Sequence, residues 1–192
     1  MHPCPPSSTL PAIRTGSPAE LLPGASNSEA YAPILVLGLG NDILTDDAVG
    51  LRVTAMVSEQ VADGPDIEVR ATTEMGLALL DEIAGREAVV LVDSVQTGNA
   101  APGAIHEIDV ENLSRILTTS PHFLGIGETL ALGKMLGLVM PRHVRIVAVE
   151  VADPYTLGTT MTPAVEAAVA PAATRVVAQA RTFAAVVTGG AR

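Results

Sequence analysis

Three short segments of this sequence carry side chains that could do chemistry together. GLGNDILTDDAVG, residues 38–50, sets Asp42, Asp46 and Asp47 behind a pair of glycines. VVLVD, residues 89–93, ends an apolar run on Asp93. SPHFLG, residues 120–125, places His122 between Pro121 and the apolar pair Phe123 and Leu124. A carboxylate that terminates a buried strand is expensive unless it is paired, hydrogen-bonded or ligated, so Asp93 is better placed for a site than most of the chain's acids. Two carboxylates and one imidazole form an oxygen-rich set with one nitrogen donor. Such a set suits a divalent metal of intermediate softness and leaves coordination positions open. Each residue also has a plainer use: Asp46 or Asp47 as a helix cap, Asp93 as a loop anchor, His122 as a structural histidine.

Other chemistries fit the residues less well. Gly38 and Gly40 invite a dinucleotide-binding reading, but Ile43 stands where the third glycine belongs. The acids that follow would repel a pyrophosphate, and a helix headed by Asp47 already has its anion. Ser94 and Ser120 lack the G-x-S-x-G setting of a nucleophile elbow. Cys4 is the only cysteine, so the chain has no internal disulfide and no thiolate cluster for zinc or iron–sulfur. Of the four histidines, His2 lies near the start of the chain, and His106 and His143 fall at strand positions. Asp47 and Asp93 sharing a proton, as in aspartic proteolysis, is a further option, but it leaves His122 without a role.

The elements that must position these residues are legible from Ile34 onward. ILVLGL (34–39) and AVVLVD (88–93) are continuous apolar runs, as expected of buried parallel strands. IEVRA (67–71), AIHEI (104–108) and VRIVAVE (144–150) read as three more strands. Helices are predicted over Ala48–Val61, where apolar residues recur at helical spacing, over Met75–Ala84, and over Gly127–Met140, closed by Pro141. A last helix is predicted from a Thr162 cap, with Pro163 at its first position, to about Val187. Strands alternating with helices imply an α/β fold: a three-layer sandwich around a twisted, largely parallel five-stranded sheet. Ligands of such sheets gather at the carboxyl ends of the strands.

Half of the 14 prolines fall before residue 34. Residues 1–31 therefore read as a flexible Pro/Ser-rich N-terminal extension, and 32–192 as a single α/β domain. The chain has 192 residues, enough to bury a core unaided. Its 21 acidic residues against 11 basic ones give a net charge of −10. That balance argues against nucleic-acid partners, which bind basic surfaces through counterion release. Lys134 is the only lysine, so no polybasic membrane anchor is present. No apolar run approaches the roughly 18 residues of a membrane span, and Met1–Ser8 lacks a signal-peptide pattern. A cytoplasmic location is expected.

Taken in order, GLGNDILTDDAVG, VLVDSV, SPHFLG and the later MTPAVE (161–166) resemble the nickel–iron hydrogenase maturation proteases. The likeness extends from residue 33 to about residue 187. It implies an endopeptidase that removes the C-terminal extension of a hydrogenase large-subunit precursor, a transient partner. It implies that Asp47, Asp93 and His122 match the family's metal-binding trio. The metal would be nickel already inserted in the precursor, with no organic cofactor, and the enzyme is expected to be a monomer. The position of Asp47 is Glu in some members. One departure is Ala71, which stands where some members carry a further acid, with Glu74 displaced from that place. Two alternatives remain at this point. One is a non-catalytic docking protein that checks metal loading; the other is a peptidyl-tRNA hydrolase-like enzyme, which shares a strand followed by GLGN.

Overall fold

The computed structural model describes residues 32–61, 66–110 and 121–189, with side chains in the last span described from residue 125. The Pro/Ser-rich extension and Cys4 lie outside the described residues. Five strands form one sheet: β1 (Ile34–Leu39), β2 (Ile67–Thr72), β3 (Ala88–Val95), β4 (Ile105–Asp109) and β5 (His143–Glu150). Their order across the sheet is β2-β1-β3-β5-β4. All neighbouring pairs are parallel except β4 with β5, which is antiparallel. Among the described residues four α-helices cover the two faces: α1 (Val49–Val61), α2 (Ala78–Ile83), α3 (Pro121–Met135) and α4 (Pro163–Gly189). The predicted three-layer α/β architecture is the one observed.

The side-chain alternation of the strands divides the core in two. Val36, Val90, Val92, Val147 and Val149 face α1 and α4, where they pack on Val53, Val57, Val165, Ala173 and Val176. Leu35, Leu37, Leu91, Val95, Ile146 and Ala148 face the opposite way, onto Leu79 and Ile83 of α2 and Ile126 and Leu130 of α3. Apolar residues on both faces are why β1 and β3 read as unbroken hydrophobic runs.

Three helices differ from expectation in their limits. The second helix is shorter than predicted, Ala78–Ile83 rather than Met75–Ala84. The third is displaced toward the N-terminus, Pro121–Met135 rather than Gly127–Met140. Its end is set before Pro141: Gly137 takes φ +74°, and its N–H reaches Lys134 O while Leu138 N–H reaches Gly133 O. That pair of bonds satisfies the last carbonyls and stops the helix there. Its start at Pro121 uses a residue with no N–H to lose, so His122 belongs to the first turn of a helix rather than to a loop. The last helix continues to Gly189, past the predicted end, with Pro171 inside it.

Contacts along α3 fix its direction. Thr129 Oγ1 donates to Gly76 O, ahead of α2, and four residues later Gly133 lies against Leu80 within α2. At the far end Gly85 N–H donates to Val139 O. The two helices therefore run side by side, both from the carboxyl end of the parallel strands toward the amino end. His122 is seven residues before Thr129, about 10 Å further toward the carboxyl end at 1.5 Å per residue.

Candidate active site

A short 3-10 turn, Asp46–Ala48, joins β1 to α1 and carries two buried acids with separate duties. Neither caps the helix: the position before the turn is Thr45, which makes no side-chain cap bond. Asp46, fully buried, is a clamp. Its Oδ2 accepts from the amides of Ala152 and Asp153 and from the Thr162 hydroxyl, and its Oδ1 accepts from the Thr162 amide at 2.7 Å. It ties the turn to the loop after β5 and to the residue before α4. The predicted capping hydroxyl of Thr162 is thus a donor to Asp46, while the Thr162 carbonyl accepts from Glu166 N–H.

Asp47 points elsewhere. Its Oδ1 accepts from the Ser94 hydroxyl at 2.6 Å. Ser94 also donates its amide to Asp93 Oδ1 at 2.7 Å, so one serine is bonded to both acids. Strand alternation explains how it manages this. Asp93 shares the parity of Leu91 and Val95 and belongs to the α2/α3 side, whereas Ser94 belongs to the side of α1, where Asp47 sits. The two acids meet at the carboxyl edge of β3, one from each side of the sheet.

Glycines permit this close assembly. A Cβ on Gly40, whose φ is +148°, would collide with Asp47 O. A Cβ on Gly50, at the start of α1, would collide with Leu39 O and lie 2.5 Å from Val92 O. The pair lets the turn sit directly on the ends of β1 and β3, a structural role.

Asp93 is 1% exposed, and among the described residues its Oδ2 has no hydrogen-bond partner. Burial pushes its carboxyl up from 3.8 to about 8; the Ser94 amide opposes this, and the charge of Asp47 adds to it. A buried, partly unsatisfied carboxylate beside a second acid is a site that a cation would stabilise. His122 is brought to the same end of the sheet by α3, on the layer that Asp93 faces, but its side chain lies outside the described residues. Among the described residues no three His, Cys, Asp or Glu side chains form a metal-holding group.

Two site features lie beyond the sequence reading. Ser94 figures there only as a serine without a nucleophile-elbow setting; its hydroxyl orients Asp47. The visible signal is a second polar residue directly after Asp93 in an otherwise apolar strand. Glu150, 2% exposed, ends β5 and accepts from the amides of Thr97 and Gly98 and the Thr97 hydroxyl. Its Oε2 lies 3.0 Å from His106 Nε2. Fully partnered, Glu150 anchors the loop that leaves β3. Ala71, at the end of the edge strand β2, is exposed, as is Glu74.

Comparison with known proteins bears on the family and the fold. Residues 51–179 match the HycI family, described as hydrogenase maturation protease. The chain is similar to the hydrogenase 2 maturation protease of Escherichia coli, 32% identical over 152 residues, covering 77% of this chain and 90% of that protein. Among solved structures it is similar to the hydrogenase maturating endopeptidase HybD from E. coli, with a TM-score of 0.65 and 30% identity over 78% of this chain and 93% of that one. The fold also matches HybD of Thermococcus kodakarensis, at a TM-score of 0.60 and 23% identity over 77% of this chain and 98% of the other.

Proposed function

Since the chain belongs to the hydrogenase maturation protease family, we propose that it cuts the C-terminal extension from a nickel–iron hydrogenase large-subunit precursor after nickel insertion. The nickel is part of the substrate, and Asp47, Asp93 and His122 are the residues that meet it. The observation that carries this reading is the buried pair of acids bonded to Ser94, with Asp93 Oδ2 left without a partner among the described residues. A carboxyl whose burial disfavours its charged form is a ready ligand for a divalent cation, which would take the proton's place. Held by these residues, the metal would serve recognition, and a Lewis acid is the further chemistry it would supply.

The protein's own residues then have defined tasks. Ser94 holds Asp47 and Asp93 in a fixed mutual orientation before substrate arrives, which reduces the ordering cost of binding. Asp46 holds the turn itself. His122 adds a nitrogen donor from the α3 side, and this combination favours nickel over the harder alkaline-earth ions. A docking surface that requires the metal makes cleavage a checkpoint on loading. We place this work in the cytoplasm.

The test compares nickel-loaded with nickel-free precursor in a cleavage assay followed by mass spectrometry of the products. Cleavage of the loaded form alone is expected. Equal cutting of both forms overturns the checkpoint, and stoichiometric binding without any cutting favours the docking-protein alternative.

A further inference from the structure

Ten large hydrophobic side chains are exposed among the described residues, and they fall mainly into two groups. Met135, Leu136, Leu138 and Val139 surround the turn that ends α3, at the amino end of the sheet. Ile43, Met75, Leu77, Tyr155 and Leu157 lie on loops at the carboxyl end, where the candidate site is. Single exposed apolar residues need no explanation, but a cluster rimming a polar site does.

Three of the second group sit on a rigid support. The loop after β1 and the loop after β5 are joined as a short antiparallel ribbon. Leu44 and Leu157 form its bridge, Gly158 N–H donates to Ile43 O, and Thr45 N–H donates to Thr156 O. Thr45 Oγ1 donates to Asp153 O, and Asp153 Oδ1 accepts from the amides of Tyr155 and Thr156. The Asp46 clamp fastens the base of both loops. On this ribbon Ile43 is 56% exposed, Tyr155 75% and Leu157 74%. Their support is ordered before any partner arrives, so a partner would not bear the cost of ordering it.

We propose that the ribbon bearing Ile43, Tyr155 and Leu157 is the surface on which the folded body of the precursor docks, as distinct from the peptide that is cut. This rests on the proteolytic reading above. The continuity is direct: Ile43, Thr45 and Asp46 are followed in the chain by Asp47, so the docking ribbon and the candidate ligand share one turn. A protein partner fits better than a small ligand because the apolar groups stand on a projecting rim rather than lining a pocket. An apolar patch containing a tyrosine beside a polar centre has the composition of a protein interface. The ribbon sets where the precursor sits, and the acids test what it carries.

The test is steady-state processing of nickel-loaded precursor by Ile43→Asp and Leu157→Asp, with Met135→Ser and Val139→Ser as controls from the opposite end. Thermal melts verify that each variant is folded. The ribbon variants are expected to raise KM about tenfold or more with kcat within about twofold of wild type, the signature of lost uniform binding. The controls should leave both unchanged. Wild-type KM in the folded ribbon variants overturns the proposal, as does an equal rise in the controls. A wild-type dimer that Leu157→Asp splits with KM unchanged assigns the ribbon to a second copy instead, and also overturns it. Binding is measured separately by co-sedimentation with precursor. A chain that binds but does not cut refutes the proteolytic reading alone. Undiminished binding by Leu157→Asp refutes the docking surface alone.

Discussion

At Asp93 a single proton links stability to pH. Its carboxyl is held up to about 8 in the fold, by burial first and the Asp47 charge after it, against an ordinary value of 3.8. Between those limits the folded chain binds more protons than the unfolded one, so stability falls as pH rises from about 4 to about 8 and then levels. A tenfold difference in proton affinity is worth about 1.4 kcal/mol, which makes the whole effect on the order of a few kcal/mol. Asp93→Asn removes the titration. Its melting temperature at pH 8 should exceed that of wild type, and the wild-type decline between pH 5 and 8 should be flattened. Melts across a pH series decide this; parallel wild-type and variant curves would refute it. The same substitution should abolish precursor processing, because an amide keeps the shape but not the charge that a cation needs. His122→Ala should do so as well while leaving the fold intact. Wild-type processing by both folded variants would end the assignment of these residues.

The turn Asp46–Ala48 shows how an element divides labour that the sequence leaves ambiguous. Adjacent aspartates look interchangeable in TDDAVG. What separates them is the direction each side chain takes from the turn, and the partners of Asp46 lie 106 to 116 positions away in the chain. Asp46→Ala should lower stability by about 2–4 kcal/mol, since it strands buried amides and a hydroxyl. It should also loosen the ribbon, so precursor KM should rise more than the loss of folded protein accounts for. Urea denaturation beside processing kinetics measures both; a wild-type unfolding midpoint would show that Asp46 is no clamp. β1 and β3 were legible because burial on two faces demands unbroken apolar runs. The limits of α3 were not: Gly125 and Gly127 weaken the apparent start, and the stop at Gly137 depends on bonds made after the helix has formed.

For the molecule as a whole, the alternation of strands and helices announced the layers but not the strand order β2-β1-β3-β5-β4. Apolar strands alike on both faces carry no label for their neighbours. The site was legible to the extent that acids at strand ends are costly; the Ser94 bridge was not, because it depends on two elements meeting across a sheet edge. Net charge is a property of the whole surface, and at −10 it opposes phosphate backbones. Peptidyl-tRNA should therefore bind weakly at physiological salt and should not be hydrolysed. Efficient release of the peptide by purified protein would contradict the protease assignment.

The uniform apolar character of β3 also leaves it a problem of reading frame. A slip of one residue exchanges the two faces of a strand, yet with valine and leucine on both sides such a slip would bury nearly the same surface. Asp93 and Ser94 break that degeneracy. In the native frame the Ser94 hydroxyl finds Asp47; one step out, the carboxylate would enter the α1 side and the serine the other. The pair that weakens the fold at neutral pH thus serves as its punctuation mark. A strand with both replaced by valine should be more stable and less singular, with broadened backbone amide resonances along β3 as the measurable trace.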